Sequence, residues 1–241
     1  FLIVALCKSS CRLTYGSPRV FHALLALGVK CGKNRVARLM RRYDIRAKQT
    51  RRYKVTTKRN KAHPVAPNLL RRDFTAERPN RKWLADITYI ATAEGWLYLA
   101  ALMDLCSRRI VGWNTADRID RWLPLTALQQ ALRERRPEPG LIHHTDRGGK
   151  YAAYEYQRCL EKAQAITSMS RKGDCWDNAP VERFFGSLKS ERLVSCRFAT
   201  RKAAKAEILD YITYYNFARL HSTLGYQSPM EYEKEQFLKV A

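Results

Sequence analysis

Acidic residues stand at two places in this sequence where an acid is costly unless something neutralises its charge. Asp86 interrupts the run WLADITYI (residues 83–90), whose aromatic and β-branched residues predict a β-strand. Asp146 ends a shorter apolar run that begins at Leu141. Since an uncompensated charge in a core strand costs several kcal/mol, we expect both carboxylates to serve a purpose at one edge of a sheet.

A third acid, Glu182, lies on a predicted helix. Asp177 or Asn178 can cap this helix, and Pro180 falls in its first turn. Glu182 borders the apolar face, and a solvated helix edge is its alternative interpretation. The apolar residues recur at the spacing of one helical face: Val181, Phe184, Phe185 and Leu188.

A basic residue shares the helix edge with Glu182. Lys189 lies seven positions later, on nearly the same line along the helix. Gly186, between them, removes a side chain, although glycine costs a helix about 1 kcal/mol relative to alanine. We therefore predict an acid, a gap and a base along one edge of a packed helix.

These acids indicate a particular chemistry if they converge. Asp86, Asp146 and Glu182 would repel one another, and hard divalent cations that prefer oxygen ligands relieve the repulsion, which predicts Mg²⁺ or Mn²⁺. Two such ions per site can activate the attacking oxygen and stabilise the leaving oxygen of an in-line phosphoryl transfer. The three acids thus predict a metal-dependent reaction at a phosphodiester.

The overall charge indicates the class of partner. The 241 residues include 45 Lys and Arg against 22 Asp and Glu, a net charge of +23. This excess favours a polyanion, which is nucleic acid or, as the alternative, an anionic membrane surface. The sequence has no apolar run of eighteen residues, so we expect no membrane span.

The start of the sequence and its cysteines bear on location. FLIVAL lacks a basic segment and an initiator Met, so we interpret it as a chain entered partway and not as a signal peptide. The seven cysteines are scattered and form no C-x-x-C pair, which favours reduced thiols in a cytoplasmic protein.

Residues 1–46 predict a small helical domain that binds DNA. One helix starts at Ser17 and ends at Gly28, and Asn34 caps a second, RVARLMRR, whose basic face includes Arg35 and Arg38. Two short helices about a tight turn are typical of a helix-turn-helix reader. A helical cap with a solvated basic face is the alternative.

Residues 47–78 predict a basic linker. The segment from residue 30 to residue 82 holds 19 Lys and Arg against three acids. Its central part has few large apolar residues and several prolines, so we expect an extended arm that neutralises phosphates when DNA is present.

Residues 79–235 predict a folded α/β region. Strands at 83–90, 96–104 and 110–113 have short links and form an antiparallel meander. Helices and strands then alternate, with helices near 123–136 and 151–162. This order predicts a mixed sheet flanked by helices.

Several motifs together resemble a known family. WLADITYI, LIHHTDRGGKYAA, SMSRKGDCWDNAPVERFFGSLKSE and YYNFARLHSTLGYQSP look like the integrase-type transposases of bacterial insertion sequences. They look closest to the downstream-frame product of elements that use programmed frameshifting. Between Asp146 and Glu182 lie 35 residues, as the family's DDE signature expects. The resemblance covers nearly the whole chain.

That resemblance implies a ribonuclease-H-like core in which Asp86, Asp146 and Glu182 hold the metal ions and Lys189 contacts the transposon end. It implies DNA strand cleavage and strand transfer in the bacterial cytoplasm, at the nucleoid. The expected partners are double-stranded DNA (terminal inverted repeats and target), further copies of the chain and the upstream-frame product. Further DNA contacts are expected from Asn178, Arg147, Lys150, Arg171, Lys172, Arg35 and Arg38.

Other interpretations stay open at this point. The chain could be an inactive or regulatory DNA-binding fragment, or a ribonuclease-H-like nuclease, which would need a fourth carboxylate. His143 and His144 could bind metal, but a His pair at a strand end is typical of hydrogen-bonded structure. We expect Asp104 to be a turn residue and favour packing over DNA contact for Arg219.

Overall fold

The computed structural model describes residues 2–6, 13–47, 66–171, 175–194 and 196–239. Its N-terminal part contains three helices: α1 (Leu2–Ala5), α2 (Ser17–Ala26) and α3 (Lys33–Arg42). Helices α2 and α3 enclose a small apolar core of Tyr15, Val20, Leu24, Val36 and Met40.

The ends of α2 and α3 follow from local sequence, with one correction. Pro18 lies in the first turn of α2, and Gly28 takes a φ of +77° just after its end, as the sequence predicts. The prediction that Asn34 caps α3 is wrong, because α3 already begins at Lys33 and Gly32 holds the N-cap position. Asn34 thus lies inside the first turn.

A mixed sheet of five strands forms the centre of the described chain, in the order β3-β2-β1-β4-β5. Strands β1, β2 and β3 pair antiparallel, which confirms the predicted meander, while β4 pairs parallel to both β1 and β5. Their bounds are β1 (Lys82–Thr92), β2 (Gly95–Asp104), β3 (Ile110–Ala116), β4 (Ile142–Thr145) and β5 (Ile166–Met169).

Helices cover both faces of this sheet. Trp83 and Ala85 of β1 pack with the helices of one face, and Leu84 and Ile90 pack with those of the other. This alternation arises because successive strand residues point to opposite faces. The helices are α4 (Trp122–Arg135) and α5 (Tyr154–Lys162) on the first face, α6 (Ala179–Leu188) and α7 (Arg201–Phe217) on the second, and α8 (Pro229–Leu238) at the end.

Shorter helical turns connect these elements. Residues Cys175–Asn178 form a 3₁₀ turn before α6, and Ser222–Leu224 form another before α8. Directly after α6, Lys189–Leu193 form a π-helical turn. None of the helices in the described part of the chain is long and apolar enough to cross a membrane.

The predicted linker needs correction in its described part. Leu70 is 2% exposed and belongs to the core cluster of the sheet, and Phe74 packs against the same cluster. The Leu69 backbone nitrogen also donates to Ser168 Oγ at 2.9 Å. Residues 66–78 therefore lie on the core, because their few apolar side chains find a buried place there. Residues 48–65 of the predicted linker lie outside the described residues.

The small helical unit contacts the core directly. The Leu220 backbone nitrogen donates to the Tyr15 hydroxyl at 2.7 Å, and Arg19 lies 3.7 Å from Glu191. Glu191 also binds Arg219 at 2.6 Å in a buried ion pair, which confirms that Arg219 has a packing role. The N-terminal helices and the π-helical turn after α6 are thus joined through one charged cluster.

Candidate active site

The parallel pairing of β1 and β4 brings two of the predicted acids together. Leu84 on β1 is in register with His144 on β4. Continuing that register by two residues sets Asp146, just past the end of β4, beside Asp86. In an open α/β sheet, the carboxyl ends of parallel strands are the usual place for a ligand site.

Asp86 is an acid with little compensation. Its side chain is half-buried, and Oδ1 accepts a hydrogen bond from the Ile87 backbone nitrogen at 2.8 Å. Burial and then the charge of Asp146 raise its pKa well above the usual value, while the charge of Lys189 lowers it. Glu182 adds a smaller raising effect. The carboxylate therefore lies in a negative field, which a cation would relieve.

The turn after β4 fixes Asp146. Its Oδ1 accepts from the Gly148 backbone nitrogen at 2.9 Å. A Cβ at residue 148 would lie only 2.8 Å from that oxygen, so glycine is needed for this close approach. With the Asn178 amide turned to satisfy its neighbours, its oxygen accepts from the Asp146 backbone nitrogen at 3.3 Å.

Helix α6 carries Glu182 in its first turn. The predicted apolar stripe is confirmed, because Val181, Phe184, Phe185 and Leu188 are all buried against the sheet. Asn178 occupies the N-cap position and Pro180 follows, yet neither Asn178 nor any other described side chain caps the helix. The Glu182 side chain is largely exposed to solvent, but its carboxylate is partly shielded by neighbouring atoms, and this partial burial raises its pKa.

Lys189 lies near the same acids, in the π-helical turn. Its Nζ is 4.9 Å from the centre of the Tyr89 ring, and the charge of Asp86 raises its pKa while burial lowers it more strongly. The gap predicted at Gly186 is open space, because this glycine is exposed and a Cβ built there meets no described atom within 4 Å. Alanine would therefore fit equally well.

Tyr89 is a candidate site residue that the sequence did not single out. Its ring lies under the Lys189 ammonium and meets the half-exposed Trp96 ring edge-on at 5.0 Å. The available signal was its place in β1, three residues after Asp86. An aromatic residue in a strand is ordinary, so that signal alone could not separate it from the core aromatics.

The donor set is suitable for a hard divalent cation, although the side chains are not gathered round one point. Within the described ranges, no three His, Cys, Asp or Glu side chains are close enough to hold a single ion. Asp86 and Asp146 are neighbours on the sheet, whereas the exposed Glu182 would have to turn toward them. Carboxylate oxygens are the ligands that Mg²⁺ and Mn²⁺ prefer.

The two histidines before Asp146 are structural, as favoured from the sequence. His143 Nε2 lies 2.7 Å from the Tyr156 hydroxyl, and His144 Nδ1 lies 2.7 Å from Ser168 Oγ. Burial lowers the pKa of His143 to about 3 and that of His144 to about 4. Both rings are therefore neutral near pH 7 and serve hydrogen bonds within the core.

The predicted DNA contacts fall into different environments. Arg35 and Arg38 are exposed on α3. Arg147 and Lys150 are half-buried in the turn after β4, where Arg147 Nε donates to the Ser170 carbonyl oxygen at 2.7 Å. Exposed Arg171 lies 3.6 Å from Asp177.

Two further predicted contacts are not seen on the described surface of the protein. Asn178 is only 5% exposed, so the DNA-free protein does not present it to a ligand, and its role as a DNA contact stays a prediction. Its polar side chain is used inside the protein, between Asp146 and α6. Lys172 lies outside the described residues.

Family comparisons agree with the fold and extend it. Two models described as an integrase core domain match residues 76–175 and 182–237, and a model described as an HTH-like domain matches residues 2–53. Together these matches cover most of the chain.

Curated relatives are similar along most of their own length. A 31 kDa protein of insertion element IS600 from Shigella sonnei is 46% identical over 93% of this chain and 83% of its own. The transposase InsF for insertion sequence IS3A from Escherichia coli K12 is 43% identical over 92% of this chain and 77% of its own. The transposase for insertion sequence element IS904 from Lactococcus lactis is 43% identical over 91% of this chain and 87% of its own.

Solved structures share the fold at low identity. The catalytic core of HTLV-2 integrase, in complex with magnesium, superposes with a TM-score of 0.52 at 18% identity and covers 65% of this chain and 97% of its own. A chain of the simian T-cell lymphotropic virus intasome gives a TM-score of 0.55 at 17% identity and covers 72% of this chain and 60% of its own. The mixed sheet with flanking helices is thus an integrase-type fold.

Proposed function

Since the chain belongs to the integrase-core transposases of bacterial insertion sequences, we propose that it cuts DNA at the ends of its element and joins the freed 3′ hydroxyl to a phosphodiester of the target. In this proposal Asp86, Asp146 and Glu182 hold the catalytic divalent cations. The family is associated with nucleic-acid cleavage and transfer, and we propose which residues of this chain carry out that chemistry.

One observation supports the site most directly. Asp86, in the middle of β1, stands beside Asp146, just past the end of the parallel strand β4, and the charge of Asp146 raises the pKa of Asp86. Asp146 is held by the Gly148 amide and Asp86 by the Ile87 amide, so both are oriented before a ligand arrives. Pre-oriented ligands reduce the cost of binding a cation.

The cation would supply charge neutralisation at the attacking and leaving oxygens of an in-line displacement. We propose Mg²⁺ or Mn²⁺, with two ions per site. Asp86 and Asp146 would be ligands from the sheet. Glu182 would join them from α6 by a change of side-chain rotamer, since it is exposed and close enough to affect the pKa of Asp86.

Basic residues near the acids would hold the DNA strand. Lys189 is half-buried and supported by the Tyr89 ring, so its ammonium has a defined place beside Asp86. An ammonium is a point charge that suits a phosphate, and it cannot read a base bidentately as arginine can. We therefore assign Lys189 to the backbone of the reacting strand.

Other basic residues would bind DNA farther from the reaction. Arg35 and Arg38 are exposed on α3 of the helix-turn-helix-like unit and would contact the terminal inverted repeats. Arg147 and Lys150 would contact phosphates around the turn after β4, and Arg171 would do so after β5. Lys172, outside the described residues, is a further proposed phosphate contact. Several copies of the chain on one DNA complex, an upstream-frame partner and a cytoplasmic place of action are parts of the same proposal.

The test is a gel assay with duplex DNA that carries the terminal repeat, in Mg²⁺. We expect joined strands from the wild type and none from Asp86→Asn, Asp146→Asn or Glu182→Gln, while each variant keeps DNA binding within about twofold because these side chains do not touch bases. Joining at a near-normal rate would remove that residue from the site. Binding without joining by the wild type would favour a regulatory protein, and degradation of an RNA–DNA hybrid would favour a ribonuclease.

A further inference from the structure

One buried tyrosine beside the candidate site has a hydroxyl with no visible purpose. Tyr151 lies in the turn between β4 and α5, is 3% exposed, and belongs to the core cluster with Trp83 and Ala85 of β1. Its hydroxyl oxygen is fully buried and has no hydrogen-bond partner among the described residues. Phenylalanine would fill the same space without a buried polar atom.

A neighbouring tyrosine shows the ordinary solution. The Tyr156 ring meets Tyr151 edge-on at 5.4 Å and is 1% exposed. Its hydroxyl lies 2.7 Å from His143 Nε2. Because an unsatisfied buried hydroxyl loses its hydration without return, native structures rarely keep one unless something else uses it.

The position of Tyr151 indicates what could use its hydroxyl. Its backbone nitrogen donates to the Gly148 carbonyl at 3.0 Å, within the turn whose Gly148 amide holds Asp146. After burial, the charges of Asp86 and Asp146 contribute most to raising the pKa of Tyr151, with a smaller effect from Tyr156. The phenol therefore stays protonated near neutral pH, and its hydroxyl can act as a hydrogen-bond donor toward this acid pair.

We propose that Tyr151 is a positioning residue of the metal site: its O–H donates to a carboxylate oxygen of the Asp86–Asp146 pair when that carboxylate turns to hold a cation. The inference rests on the proposed function. Groups behind metal ligands fix their orientation, and loss of such a group typically weakens metal affinity roughly 10- to 100-fold. The unpaired buried hydroxyl would then destabilise the metal-free protein, and it would form a hydrogen bond only when the metal ion is bound.

The experiment compares Tyr151→Phe with Tyr156→Phe in the full chain. The melting temperature is measured in EDTA, and Mn²⁺ is titrated into each protein by calorimetry. For Tyr151→Phe we expect a melting temperature equal to or higher than that of the wild type and an Mn²⁺ affinity reduced roughly 10-fold or more. For Tyr156→Phe we expect the reverse, a lower melting temperature with unchanged Mn²⁺ affinity, because it removes a hydrogen bond that is already made.

The outcomes separate the two proposals. If the wild type binds Mn²⁺ and Tyr151→Phe binds it equally tightly, the positioning role is wrong but the proposed metal site is supported. A lower melting temperature for Tyr151→Phe in EDTA would show that the hydroxyl has a partner in the metal-free protein, which also overturns the role. If the wild type binds no Mn²⁺, both the positioning role and the metal-dependent function fall.

Discussion

Two pairs of acids lie beside the same sheet and have opposite surroundings. Asp86 and Asp146 lie where β1 passes the end of β4, and the charge of Asp146 raises the pKa of Asp86. Asp104 and Glu233 lie near the start of β1, where Asp104 is in register with Trp83. Both members of the second pair are buried more deeply than the half-buried Asp86 and Asp146, so deeper burial does not mark the candidate site.

The two pairs differ in the hydrogen-bond donors and arginines that surround them. Asp104 accepts from the Asn80 backbone nitrogen at 2.6 Å and from Trp83 Nε1 at 3.2 Å, among other donors. Glu233 binds Arg109 and Arg135, each at 2.7 Å, and these arginines lower its pKa. Burial still raises the pKa of Asp104, although the amides of Asn80 and Ser107 offset part of that effect.

The difference shows how to recognise an acid that awaits a ligand. The Asp104–Glu233 pair fastens α8 and the turn after β2 to the sheet, so its charges serve the fold. In the Asp86–Asp146 pair, the Ile87 amide and the charge of Lys189 do not offset burial and repulsion at Asp86, whose pKa stays well above its usual value. A cation would relieve this repulsion. The two pairs should therefore respond to substitution in opposite ways.

The largest expected effect is on the reaction. Asp146→Asn should slow strand joining by about 10³-fold or more, the scale seen when one member of a catalytic unit is removed. Glu233→Gln should leave the rate per folded molecule within about twofold, because it touches no part of the candidate site. Single-turnover joining at matched concentrations of folded protein makes this comparison. An equal loss in both variants would mean that the two pairs do not differ in role.

The next effect is on stability and has the opposite pattern. Glu233→Gln leaves Arg109 and Arg135 buried without their anion, and breaking a buried ion pair in this way typically costs about 3–5 kcal/mol. Urea unfolding should show this loss of free energy of unfolding. Glu138→Gln is the matched control, since its exposed pair with Arg78 should contribute little. A loss below that of the control would contradict the fastening role.

Much of this contrast was predictable from the sequence, and part of it was not. Asp86 and Asp146 are unusual in strands, so their positions alone predicted a site. Asp104 was predicted as a turn residue, and its bonds to the Cys106 and Ser107 amides at 2.9 and 3.0 Å confirm this. Glu233 was not singled out, because its arginine partners come from the turn before β3 and from α4, far away in sequence.

Tertiary contacts explain where the structure differs from a local interpretation of the sequence. The resemblance implies a DNA contact at Asn178, whereas the fold turns this side chain inward toward the Asp146 amide. The segment 66–78 was predicted to be linker because its apolar residues are few, yet Leu70 is buried in the core and Phe74 packs against the same cluster. Short polar segments have little hydrophobic periodicity, so their position in the fold depends on tertiary contacts that the local sequence does not predict.

The pH dependence of stability offers a finer test of the Glu233 pair. The folded pKa of Glu233 is lowered below its ordinary value of 4.5, so its contribution is present above that value and is lost as the pH falls through the folded pKa. The difference in unfolding free energy between wild type and Glu233→Gln should thus shrink below about pH 4. A difference that stays constant from pH 7 to pH 3 would contradict the assignment.

The smallest effects are expected around Lys189. Lys189→Ala should weaken binding to transposon ends and to unrelated DNA by similar factors and lower the salt slope of log K by about one. Joining should fall further, because the strand is held less firmly over the acids. An unchanged slope with unchanged joining would leave Lys189 as a surface residue.

Substitutions of Tyr89 refine this prediction. Tyr89→Leu removes the ring under the ammonium and should slow joining roughly two- to fivefold, the equivalent of about 0.5–1 kcal/mol. Tyr89→Phe keeps the ring and should retain most of the rate. Equal losses in both variants would mean that the hydroxyl, and not the ring, supports Lys189.

The most direct test of the contrast between the two acid pairs is urea unfolding of Asp86→Asn beside wild type, in EDTA and then in excess Mn²⁺. In EDTA the substitution removes a charge from a repulsive pair, so we predict a free energy of unfolding equal to or above that of the wild type. In Mn²⁺ the wild type should gain stability and the variant should not, because only the wild type keeps the full ligand set. A variant that is destabilised in EDTA, and that gains as much from Mn²⁺ as the wild type, would contradict the claim that Asp86 awaits a cation.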